Sequence, residues 1–75
     1  MDLEIEFEQE TDDRWIAEIP ELPGVLAYGV TPLQAGARAK ALALRVLADR
    51  METEDAIPGI NTIAFANRYE PVAVS

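Results

Sequence analysis

The stretch Asp2-Leu3-Glu4-Ile5-Glu6-Phe7-Glu8-Gln9-Glu10 alternates acids with other, mostly large apolar residues, and its period of two sets the fold. In a strand, successive side chains point to opposite faces of the sheet. One face of this segment then buries Leu3, Ile5 and Phe7, while the other presents Asp2, Glu4, Glu6, Glu8 and Glu10 in a line. Neighbouring acids in such a row stand about 6.8 Å apart, and each adjacent pair repels by roughly 0.6 kcal/mol in water before salt screening. The row opposes stability mildly, and a positively charged partner is its natural complement.

Working outward, Thr11-Asp12-Asp13 reads as a tight turn, because Asp side chains bond nearby backbone groups and tolerate unusual dihedrals. A second strand over residues 14–19 must set Trp15, Ala17 and Ile19 on the face of Leu3, Ile5 and Phe7 if the apolar sets are to meet. Arg14 then falls on the acidic face, opposite Glu8 or Glu10. Pro20-Glu21-Leu22-Pro23-Gly24 is a shaped loop, since two prolines remove ladder donors and glycine marks a turn. Residues 25–28 supply a third strand, which Gly29 ends.

Thr31-Pro32-Leu33-Gln34 marks a helix start: a hydroxyl at the N-cap, proline in the first helical position and glutamine completing a capping box. Leu33, Ala37, Ala41, Leu44 and Ala48 form one apolar line, extended by Leu47 and Met51, with Ala35, Ala39, Leu42 and Val46 beside it. That breadth suits a helix lying on a sheet. Gly36 costs about 1 kcal/mol inside a helix, which either its place in the first turns or a contact with the sheet would explain. The chain leaves the helix through residues 52–55, turns at Ile57-Pro58-Gly59 and re-enters the sheet over residues 60–66. The expected class is α+β with the order β-β-β-α-β. It is a three-stranded antiparallel meander, one helix on one sheet face, and a fourth strand that a right-handed crossover sets parallel to and beside the first. The tail over residues 69–75 reads as irregular or as an extended arm onto a neighbour.

Seventy-five residues make one domain, spanning residues 1–75. With no cysteine and no histidine, disulfides, thiolate metal sites and the usual general base are all excluded. The N-terminus, with alternating acids after Met1, is the opposite of a signal peptide, and a cytoplasmic location is expected. No apolar run is long enough to cross a bilayer. The net charge of −8 is polarised: residues 1–21 carry nine acids against Arg14, whereas residues 32–50 carry Arg38, Lys40, Arg45 and Arg50 against Asp49. Direct nucleic-acid binding is not expected of so acidic a chain. The helix cations read as a solvated face, because no aromatic residue interleaves them for base stacking.

The acidic row admits three readings: a solvated strand face, a docking surface for a basic partner, and a metal site. The last is the weakest, because two-metal sites need carboxylates converging from different elements whereas this row is collinear, joined only by Glu18 from the next strand. Trp15 reads as core by parity. Leu22, framed by two prolines, is either core or a partner anchor. Tyr28, at a strand end, either caps the sheet or meets a partner. No catalytic residue and no cofactor are expected.

The string Trp15-Ile16-Ala17-Glu18-Ile19-Pro20-Glu21-Leu22-Pro23-Gly24, followed by Tyr28-Gly29-Val30-Thr31 and Ala39-Lys40-Ala41-Leu42, resembles the HicB-like antitoxin family over about residues 3–52. The resemblance implies a truncated ribonuclease H-like fold without its chemistry. It also implies a partner, a small basic HicA-type toxin that cuts messenger RNA and is neutralised by occlusion. Glu4, Glu6, Glu8, Glu18, Glu21, Leu22 and Tyr28 are the expected partner-binding residues. Independently of the resemblance, the edges of a small four-stranded sheet and a tail with Val72 and Val74 lead to an expected homodimer or tetramer. Many members carry a further DNA-binding module, which a chain ending at Ser75 is not expected to form. The alternatives are a stand-alone oligomeric domain and a metal-dependent nuclease or hydrolase on the same fold.

Overall fold

Leu3, Ile5 and Phe7 are each at least 97% shielded from solvent while Asp2, Glu4 and Glu8 between and beside them stay exposed, so the period of two does separate a dry face from a wet one. In the computed structural model, which describes residues 1–53 and 60–69, the elements are β1 (Asp2–Gln9), β2 (Trp15–Glu18), β3 (Leu26–Gly29), α1 (Pro32–Thr53) and β4 (Ala64–Tyr69). The turn expected at Ile57-Pro58-Gly59 and the tail over residues 70–75 lie outside the described residues. The sheet order is β3-β2-β1-β4, with β2 antiparallel to both β1 and β3, and β4 parallel to β1. This is the expected α+β arrangement.

Pairing follows from turn chemistry. Glu10 N–H donates to the Arg14 carbonyl at 2.7 Å and Asp13 N–H to the Glu10 carbonyl at 3.1 Å, closing a three-residue hairpin loop in which Asp13 takes a left-handed φ of 66°. The resulting register sets Phe7 opposite Ala17 and Gln9 opposite Trp15, so the two apolar sets meet as the parity requires. After β2 the chain makes two successive turns. Leu22 N–H donates to the Ile19 carbonyl and Val25 N–H to the Leu22 carbonyl, each at 3.0 Å, and Gly24 supplies the φ of 87° that the second turn demands after Pro23.

The start of α1 is capped by the residues its sequence indicates: Gln34 N–H donates to Thr31 Oγ1 at 3.0 Å, while the Gln34 side chain accepts from the N–H of Val30, one residue before the N-cap, at 2.8 Å. Its buried face departs from expectation. Ala35, Gly36, Ala39, Ala43 and Leu47 are buried and Leu42 and Val46 pack against them, whereas Leu33, Leu44 and Met51 are 84%, 47% and 50% exposed. The line drawn through the larger residues is therefore not the seat of the helix. Close approach selects the small ones: a Cβ on Gly29 of β3 would stand 2.5 Å from the Ala35 backbone nitrogen, and one on Gly36 would stand 2.9 Å from the Phe7 ring. Gly36 thus touches the sheet, which accounts for its place in a helix. The helix packs mainly on β3 and β2.

The fourth strand lies further along the chain than residues 60–66. Its start is set by the beginning of β1: Ala64 N–H donates to the Met1 carbonyl at 2.9 Å, and the Met1 amino group donates to the Thr62 carbonyl at 2.6 Å. From there Phe65 falls beside Leu3 and Tyr69 beside Phe7, and the Tyr69 and Phe7 rings stack at 4.7 Å. Tyr69 is part of the sheet, not of a tail. Gly29→Ala is expected to destabilise the fold by about 1–3 kcal/mol, the usual range for overpacking. Gly36→Ala is expected to lose less, because the Phe7 ring can shift and backbone cannot. Urea titrations of the two variants check this ordering.

Candidate partner-binding surface

With Leu3, Ile5 and Phe7 under the helix, everything of opposite parity faces outward, and the registers sort those residues into rows across the sheet. One row runs Tyr28, Ile16, Glu8. The next runs Leu26, Glu18, Glu6, Arg68, and a third joins Glu4 to Ala66. Glu6 and Glu18 therefore stand directly opposite each other. Like charges facing across two strands destabilise a sheet.

Glu21 joins this group by a specific contact. Beyond Glu18 the β2 ladder stops at Pro20, and the Glu21 carboxylate accepts the Glu4 N–H at 3.3 Å, which draws the loop against β1. Arg68 lies 3.5 Å from Glu4, with both side chains more than half exposed, so this pair is worth at most about 1 kcal/mol. Among the described residues it is the one cation paired with the acids of β1. Arg14 sits across from Glu10, yet its guanidinium bonds Asp12 at 2.7 Å and lies 4.9 Å from the centre of the Tyr28 ring. Desolvation, which raises the Asp12 pKa, is outweighed by the Arg14 backbone N–H and guanidinium together, and the carboxyl is held below its ordinary value. Arg14 thus serves the hairpin and Tyr28, leaving the acidic row to Arg68.

Six of the seven expected partner-binding residues reach one surface. Glu4, Glu8 and Glu18 are exposed on the outer sheet face, Glu6 is half-buried among them, Glu21 is exposed at the loop, and Tyr28 is 41% exposed at the far side. Leu22 does not join them. It is 3% exposed within the core, because the paired turns fold the loop tip inward and leave Pro20 and Pro23 outside. Of its two readings, core is the one realised. Trp15 is half-buried against the same core.

Three residues of the surface were not anticipated. Ile16 and Leu26 form an apolar shoulder beside the acids, and parity carried the signal: each lies between inward-facing neighbours and must face outward. Arg68 required the position of β4. The surface is consequently a mosaic, anionic over β1 and apolar over β2 and β3. Its carboxylates follow two adjacent strands without closing around a point, and among the described residues no group of three could hold a metal ion. Among those residues no helix is long and apolar enough to cross a membrane.

Compared with protein-family models, curated protein sequences and solved structures, the chain matches none of them. Relief of the Glu6–Glu18 opposition gives a direct measure of the strain on this face. Glu18→Gln is expected to raise unfolding stability by about 0.2–1 kcal/mol at low ionic strength. The gain should shrink as salt screens the pair, which chemical denaturation at two salt concentrations reads out.

Proposed function

We propose that this chain is an antitoxin-like binding module of the HicB-like type, whose outer sheet face covers the RNA-cleaving surface of a small basic HicA-type toxin. The observation that carries the reading is the unfavourable facing of Glu6 and Glu18, with Glu4, Glu8 and Glu21 close by. A cationic partner converts that repulsion into attraction. The free sheet is then held short of its own best stability by the charges that the complex uses.

Occlusion needs no catalytic group in this chain. The acids steer a basic surface into encounter, and the apolar shoulder of Ile16, Leu26 and Tyr28 excludes water once the two are docked. The toxin loses access to messenger RNA because its cationic surface is occupied. The module acts in the cytoplasm, where its target is, and works as a homo-oligomer. No direct contact with nucleic acid by this chain is required.

The test is inhibition of RNA cleavage by a purified HicA-type toxin encoded beside this chain. The wild-type chain should abolish cleavage at equimolar ratio, with association slowing as salt rises. The double reversal Glu6→Lys with Glu18→Lys should slow association about tenfold or more. Cleavage that continues beside an excess of folded wild-type chain would end this reading.

A further inference from the structure

Among the described residues β4 is an edge strand, and its outer edge carries few of the usual safeguards. Ala64 turns its N–H towards β1, so by alternation Ala66 and Arg68 do the same, while Phe65, Asn67 and Tyr69 turn their backbone groups outward. Sheet edges are ordinarily blunted by proline, bulges, shortness or several charges. β4 has six residues, no proline or glycine, and one charge, Arg68. Among the described residues, no strand pairs with this edge.

We propose that this edge pairs antiparallel with β4 of a second copy about a two-fold axis normal to the sheet at Asn67. The pattern of β4 and its neighbour β1 is self-complementary in that register. Asn67 faces Asn67 of the second copy, and Phe65 faces Tyr69 of the second copy. The outward-turned backbone groups of all three residues then meet their counterparts, as an antiparallel ladder requires. On the helix side the row reads Phe7, Tyr69, then Phe65 and Leu3 of the second copy, an aromatic run that covers the 55% exposed Tyr69. On the outer side it reads Glu6, Arg68, then Ala66 and Glu4 of the second copy, which sets the cation between acids of both chains.

Neighbouring registers are worse. A two-residue slip one way faces Arg68 with Arg68, and a slip the other way faces Phe65 with Asn67. A basic partner does not suit this side, because Lys40 overhangs the Phe65 ring at 5.8 Å and also lines the groove of about 330 Å³ between α1 and β4. The axis keeps both outer faces on one side of the joined sheets, so a dimer presents two anionic surfaces side by side.

Light scattering on the full chain should give twice the 8.2 kDa chain mass. Asn67→Pro removes a free-edge donor without touching the bonds to β1, and should give the monomer mass with an unchanged circular dichroism spectrum. A nitroxide on Ala66→Cys in the otherwise intact chain should show strong dipolar broadening, and one on Asp12→Cys, at the hairpin loop, should not. The chain has no native cysteine to confuse the label. A monomeric wild type, a folded Asn67→Pro dimer, or an unbroadened Ala66 label would each overturn the proposal. Should Asn67→Pro fail to fold, the two labels decide by themselves.

Discussion

β1 is hydrogen-bonded along both edges, to β2 on one side and β4 on the other, and its alternation is imposed on every neighbour. A slip of one residue in either pairing would send Leu3, Ile5 and Phe7 into water and bring carboxylates under the helix. Burying those three side chains is worth about 1.5–3 kcal/mol each, so the register is strongly held. The anionic surface follows from the same constraint. Its position is settled by where the core must be.

The helix then has to reach that core, and it does so by size. Ala35, Gly36, Ala39 and Ala43 let α1 descend onto β3 and β2, and Gly29 removes the one side chain that would hold the backbone off. The tight seat explains why the bulkier Leu33, Leu44 and Met51 stay outside despite their hydrophobicity. Packing at close range rewards contact over transfer. Because the helix sits over β3 and β2, the β4 side of the sheet is left with the groove beside Tyr69 and an edge that no described strand pairs.

The outer sheet face and the helix side beside β4 differ in charge. Carboxylates cluster on β1, β2 and the Pro20–Pro23 loop, whereas Lys40 stands on the helix side near Phe65.

Local chemistry in the sequence was enough for the element order, the dry and charged faces, the hairpin and the helix cap, because each depends on a few adjacent residues: the alternation of residues 2–10, the Asp-rich turn, and Thr31 with Gln34. Glu4, Glu6, Glu8 and Glu18 were legible as surface for the same reason, since parity alone assigns a strand residue to a face. What tertiary structure decided was everything that depends on distance between remote segments. The burial of Leu22, the choice of the small-residue face of α1, the start of β4 at Ala64 and the arrival of Arg68 beside Glu4 all answer to contacts across the chain. Periodicity says which way a side chain points, and only packing says what it meets.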